Sequence, residues 1–254
     1  MAISANTLFH FTKLEGLKGI LSSRGFYCQY SAEHFENILP SKSLHRFAYI
    51  PMTSFCDLTI MQLANDLVHR NNFGDFGIGL TKEWGIRMGV SPVMYVHKES
   101  QQTKRIFRLL NRIKVYRKKA GQNVAIDEIE QEMIDSFKYI KPYTGNWQKG
   151  RRRKKKITYY NEREWRYSPM MKEYNVLSGV IKDNKKQVEE INRKLRSRLV
   201  LFDVKDVKFI IVKGKIENPV ISEAIRNIPK LSKKEMDLLI TKIISFEEIY
   251  EDFG

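Results

Sequence analysis

Cysteine is scarce: Cys28 and Cys56 are the only two in 254 residues, and their spacing matches no metal motif. A reduced, cytoplasmic protein is the simplest expectation. No run of about 18 apolar residues occurs, so no membrane span is expected, and the start MAISANTLFHF lacks the basic and apolar regions of a secretory signal. There is no Gly/Ser-rich or Pro-rich linker and no internal repeat, which favours one domain. Gly-x-Ser-x-Gly and Walker lysine motifs are also missing. GIGLTKEWG has Lys82 where a dinucleotide fingerprint needs its third glycine, so Gly77 and Gly79 read better as places where the backbone passes close to a neighbour. His34, His45, His69 and His97 show no metal-ligand spacing, and no carboxylate cluster suited to a two-metal nuclease is evident.

Acid is missing in two places. The chain carries 45 Lys and Arg against 29 Asp and Glu, a net charge of +16. From Gln101 to Asn123 there are eight basic residues and no acid. From Ser136 to Thr158 there is again no acid, and the stretch ends in Arg151, Arg152, Arg153, Lys154, Lys155 and Lys156. A surplus of this kind draws polyanions, which makes nucleic acid the leading candidate partner. Trp147 and Tyr143 lie in the second stretch, where they could stack on an unpaired base.

Hydrophobic residues at 42% mark a folded chain. A strand at Thr7 to Thr12 leads into a helix through Leu14, Leu17, Ile20 and Leu21, with Gly25 expected as its cap. Residues 31–47 read as polar and irregular, and Pro51 suggests an edge or a bend in the run Tyr49 to Cys56. Two helices are expected at Lys98 to Lys119 and Asp127 to Tyr139, a strand pair around Val200 to Leu201 and Val207 to Val212, and a final helix over Leu231 to Ile244.

Two segments carry candidate chemistry. In LFHFTK, alternation puts His10 and Thr12 on one face and Phe9 and Phe11 on the other, so burial of the phenylalanines would turn His10 toward a cleft. In YYNEREWRY an extended strand would place Glu162, Glu164 and Arg166 on one surface.

LFHFTK with its helix, YIPMTSFCDL, GDFGIGLTKEWG, PVMYV and YNEREWRY together resemble the AbiGi family of bacterial abortive-infection proteins. More distantly, the His-x-Thr start, the Pro-containing aromatic strand and the late glutamate resemble the ADP-ribosyltransferase fold, including toxins that modify nucleic acid. This implies a single α+β ADP-ribosyltransferase-like domain over 1–254, with a split mixed/antiparallel sheet flanked by helices and a basic helical insertion at about 98–157. It implies NAD as cofactor. Glu164 would stabilise the positive charge that grows on the ribose, and Glu162 would orient or deprotonate the acceptor. His10 would bond the adenosine ribose, Phe11 and Thr12 with their backbone would line the cofactor, and Ser54 and Phe55 would support it. Tyr27, Tyr49 or Tyr95 would stack on nicotinamide. The basic run makes nucleic acid the acceptor, RNA ahead of DNA. The expectation is a toxin effector of a phage-defence toxin–antitoxin system, restrained by a cognate antitoxin or inhibitory protein. Members of AbiGi are labelled antitoxins, and the alternative is a catalytically inactive antitoxin or adaptor that binds nucleic acid or an acidic partner.

Overall fold

A computed structural model describes residues 5–35, 38, 47–65, 74–121, 124–149, 152–169, 177–178, 185–196 and 198–253. Strand β1 (Thr7–Thr12) leads into helix α1 (Leu14–Ser23), which buries Leu17 and Leu21, one turn apart. The helix ends on Arg24, not on Gly25. Arg24 takes the left-handed conformation (φ 48°), and its N–H turns back to the carbonyls of Ile20 and Leu21. Gly25 instead opens β2 (Gly25–Tyr27), where a Cβ would stand 3.1–3.2 Å from Leu199, Val200 and Leu201. Next come β3 (Gln29–His34), β4 (Phe47–Cys56), α2 (Ile60–Asn65), β5 (Phe76–Thr81), α3 (Lys82–Arg87), β6 (Ser91–Pro92) and β7 (Met94–Val96). The segment expected to be irregular therefore begins as a strand at Ser31 to His34, because a hairpin partner is available in β4.

Helices α4 (Gln101–Ala120) and α5 (Val124–Ser136) lead to β8 (Ile140–Pro142), β9 (Thr144–Lys149) and β10 (Arg152–Thr158), then through a 3-10 turn at Tyr159–Glu162 to β11 (Glu164–Tyr167). The chain closes with β12 (Leu177–Ser178), α6 (Lys185–Leu195), β13 (Leu199–Leu201), β14 (Val207–Val212), α7 (Asn218–Arg226), α8 (Lys233–Ile240), β15 (Ile243–Ser245) and α9 (Phe246–Phe253). The helix expected over Leu231 to Ile244 gives way at its end to β15, which pairs in parallel with β14 and so packs Ile243 and Ile244, both half-buried, against the two sides of the sheet. The expected pairing of the strands at 200 and 207 is not made: β13 pairs with β2, and β14 pairs with β5 and β15.

The main sheet is mixed, in the order β15-β14-β5-β1-β4-β11-β6, with β3 and β12 also on β4. Strand β5 contains glycine because β1 faces it with phenylalanine. Phe9 is opposite Gly79 and Phe11 opposite Gly77, and a Cβ at either glycine would come within 2.7–2.8 Å of a ring carbon. This is the close approach that the sequence suggested. Pro51 lies inside β4, not at an edge. It falls where one side of β4 changes partner, with Thr53 to Cys56 on β11 and Ala48 and Tyr49 on β12, and its carbonyl accepts the Ser168 hydroxyl at 2.6 Å.

Both faces of the sheet are covered. Leu8, Phe26, Phe55 and Trp84 pack with Leu17, Leu21, Ile221, Ile225 and Leu239 on one side, and Phe9, Cys56 and Ile211 with Leu58, Leu63, Phe246 and Ile249 on the other. The basic segment is stitched into this frame. Strands β7 and β8 are parallel neighbours, and parallel strands need a long crossover, which α4 and α5 provide. Ile106, Phe107 and Leu110 of α4 then pack over Ala48, Ile50 and Met52 of β4. Among the described residues no helix is long and apolar enough to cross a membrane.

Candidate functional site

Strands β1 and β4 share a single residue pair, Phe9 with Cys56. Where they part, a cleft of about 470 Å³ opens between them. Register places Phe9, Cys56 and Glu164 in one row across the sheet, hence on one face, with Ser54 and Arg166 one step along it. His10 belongs to the opposite face, beside Phe26 at 5.2 Å and Phe55 at 5.8 Å, and it reaches the cleft through the gap.

His10 is fixed by one bond. Its Nδ1 lies 2.8 Å from the Ser54 carbonyl, which can only accept, so Nδ1 carries the proton and Nε2 keeps a lone pair. Burial among the phenyl rings lowers its pKa, outweighing the opposite effect of that carbonyl, and the imidazole stays neutral at pH 7.

Glu164 is buried and fully engaged. One oxygen accepts from the Ser54 hydroxyl (2.7 Å) and Arg166 Nε (2.7 Å), the other from Lys141 Nζ (2.7 Å) and a second Arg166 nitrogen (3.1 Å). Burial alone would raise the pKa of this carboxyl. The two cations win, and it is held well below the usual carboxylate range. Arg166 is completely buried and also binds Glu33 at 2.6 Å and the Lys138 carbonyl at 3.0 Å. Lys141 binds Glu162 at 2.5 Å and sits 5.0 Å from the centre of the Tyr159 ring. Burial works to lower the Lys141 pKa, but Glu164, Glu162 and Glu33 together raise it well above its ordinary value. For Glu162 burial prevails over Lys141, and its pKa rises. The Tyr159 phenol is pushed up to about 12, chiefly by burial, and stays protonated. Three carboxylates and two cations thus share one network of net charge −1, inside a chain of +16.

The structure brings together His10, Phe11, Ser54, Phe55, Glu162 and Glu164, all of which line the cleft. It does not bring Thr12, Tyr27, Tyr49 or Tyr95 there. The Thr12 hydroxyl lies against Gly16 of α1. Tyr27 pairs with Leu199 at the β2–β13 edge. Tyr49 packs beside Tyr30, Leu195 and Ile191. The Tyr95 hydroxyl accepts the Glu164 backbone N–H at 2.8 Å. Glu162 reaches the cleft from the 3-10 turn and not from an extended strand, because Arg163 (φ 44°) turns the chain before β11 begins. Arg166, expected on one surface with the two glutamates, is the most deeply buried charge of the network.

Sequence reasoning missed Lys141, Glu33 and Tyr159. Lys141 is the middle residue of β8 and arrives through the α4–α5 crossover. Among the described residues no group of three or more His, Cys, Asp or Glu is placed to hold a metal. The eight basic residues of α4 are all exposed. Arg117 pairs with Asp127 and Glu130 of α5, and Lys104 with Glu99. Arg151 lies outside the described residues, and Arg152 to Lys156 are described as the backbone of β10.

The family model for abortive phage resistance protein AbiGi, antitoxin, matches residues 25–213. The abortive phage resistance protein AbiGi of Lactococcus lactis subsp. cremoris is 27% identical over 225 residues, covering 81% of this chain and 89% of that protein. No solved structure matches the chain.

Proposed function

The chain belongs to the AbiGi family of abortive phage resistance proteins, and from this we propose that it is the antitoxin of an abortive-infection system, acting by binding and not by turnover. The observation that carries the reading is the state of Glu164. A carboxylate that stabilises a developing cation must have that charge to spare. Glu164 already answers Arg166, Lys141 and Ser54.

NAD fits these residues poorly. The carboxylate needed at the nicotinamide ribose is neutralised, and none of the three tyrosines expected to stack on the ring lines the cleft. The expectation of a toxic effector therefore gives way to the antitoxin reading. A second reading, NAD-dependent transfer, has in its favour the convergence of His10, Ser54, Phe55, Glu162 and Glu164, and would require Lys141 to leave.

An antitoxin needs a face for its toxin, and α4 suits an acidic one. Arg105, Arg108 and Arg112 follow helical spacing along its exposed side, next to the exposed Leu109 and Tyr116. Co-expressed with the toxin it restrains, wild type and Glu162→Gln should both restore growth. Arg105→Glu/Arg108→Glu/Arg112→Glu should not, because opposed charges slow and weaken docking. In parallel, purified protein incubated with NAD should release no nicotinamide above buffer. Release that disappears in a folded Glu164→Gln variant would overturn the binding reading and establish the transferase.

A further inference from the structure

Away from the cleft, the surface shows two tyrosine rings side by side. Tyr143 is 41% exposed and Tyr160 52%, and their centroids lie 5.7 Å apart at 33°. Tyr160 rests on Tyr95, 5.3 Å away and nearly perpendicular. The backbone braces the pair: the Tyr143 N–H donates to the Val96 carbonyl at 2.7 Å, and the Tyr160 N–H to the Tyr143 carbonyl at 3.4 Å. Tyr95 is held in turn by the Glu164 N–H. No part of the antitoxin reading uses these rings.

They stand at the foot of the basic hairpin. The β9–β10 ladder starts at Thr144 with Thr158, immediately after Tyr143 and two residues before Tyr160, and runs to Arg152 with Lys149. At about 3.3 Å per residue the seven residues of β10 extend roughly 20 Å, with five consecutive cations at Arg152 to Lys156. No acidic residue interrupts the sequence from 136 to 158.

We infer that the Tyr143–Tyr160 pair and the β9–β10 hairpin form a binding site for single-stranded nucleic acid, with bases on the rings and phosphates along the hairpin. Aromatic platforms beside a cationic track hold single strands because every unpaired base offers a flat face, which a duplex covers. An acidic protein segment would gain from the charges, but stacking on a pair of rings is the contact that an unpaired base makes with its flat face.

The test is fluorescence anisotropy of labelled strands of about 12 nucleotides, as RNA, as DNA and as the matching duplex, with the full-length protein. Single strands should bind more tightly than duplex, and the tighter of RNA and DNA names the polymer. Tyr160→Ala and Tyr143→Ala should each weaken single-strand binding roughly 5- to 100-fold. Tyr→Phe at either position should keep it, since the ring and not the hydroxyl is used. Tyr160→Leu, which preserves bulk without a stacking face, covers the case in which the alanine variant is unfolded by circular dichroism. Replacing Arg152, Arg153 and Lys154 by Ala should flatten the plot of log affinity against log salt by about 2 in slope. The assignment is overturned if duplex binds as well as single strand, if neither strand binds at low salt, or if folded tyrosine variants bind like wild type. It is also overturned if these variants lose the toxin and keep the nucleic acid.

Discussion

Arg166→Met should lower the free energy of unfolding by about 3–5 kcal/mol. Methionine can occupy much of the space, but it takes a positive charge from the completely buried centre of the network. Glu33, Glu162 and Glu164 would then face Lys141 alone, and the Lys138 carbonyl would lose its donor. Removing one partner of a buried network leaves the others desolvated and unpaired, which costs more than the network itself contributes. Urea denaturation at pH 7 measures the loss. Adding Glu164→Gln should recover part of it, and a double variant equal to the sum of the singles would show that the two residues are not coupled. A loss below about 1 kcal/mol would place the pair in the range of solvated surface ion pairs and sink this account. Because the folded-state pKa of Glu164 lies below its unfolded value of 4.5, its contribution is complete above that pH and declines as pH falls toward the folded value. Glu162, whose pKa is raised, runs the other way. The expected net result is a loss of stability below pH 4.5 that is reduced in the Glu164→Gln variant.

Trp84→Ala should cost a similar amount, about 3–5 kcal/mol, through the cavity it leaves. Trp84 is completely buried, 5.4 Å from Phe55 and 5.8 Å from Phe26, and its indole N–H donates to the Leu201 carbonyl at 2.9 Å. Those two phenylalanines are also the walls around His10. If the cavity lets them relax, water reaches the imidazole, and its pKa should move back toward 6.5 in an NMR titration. Trp84→Phe keeps a ring but removes the indole hydrogen bond to the Leu201 carbonyl, for about 0.5–1.5 kcal/mol. An alanine variant as stable as wild type would mean that the two rings are held by something other than Trp84.

What the sequence makes visible here is local. The alternation in LFHFTK and the two-residue step from Glu164 to Arg166 are properties of an extended chain, and the folded chain keeps both. The step from Glu162 to Glu164 is not kept, because one left-handed residue, Arg163, breaks the strand between them, and an arginine gives no warning of that. Lys141 is invisible for a different reason. Its neighbours in IKP are ordinary, and it meets Glu164 only because β8 returns beside β7 after two helices. Glu33 was hidden in a segment whose polarity suggests a loop, although β4 supplies it with a full ladder. The identity of the family came from several short motifs together, whereas the neutralisation of the carboxylates depended on partners far away in the chain.

The Glu33–Arg166 bond spans 133 residues and the Ser54–Glu164 bond 110. At ~5–20 residues per second, a ribosome takes on the order of ten seconds to cover the longer gap. For most of that interval β4 is already synthesised while its Thr53–Cys56 edge has no neighbour in β11, and Glu33 has no Arg166 to pair with. The charge network therefore cannot close until about two thirds of the 254-residue chain has been made: β11, as it emerges, completes a site whose first residue, Glu33, was made near the start.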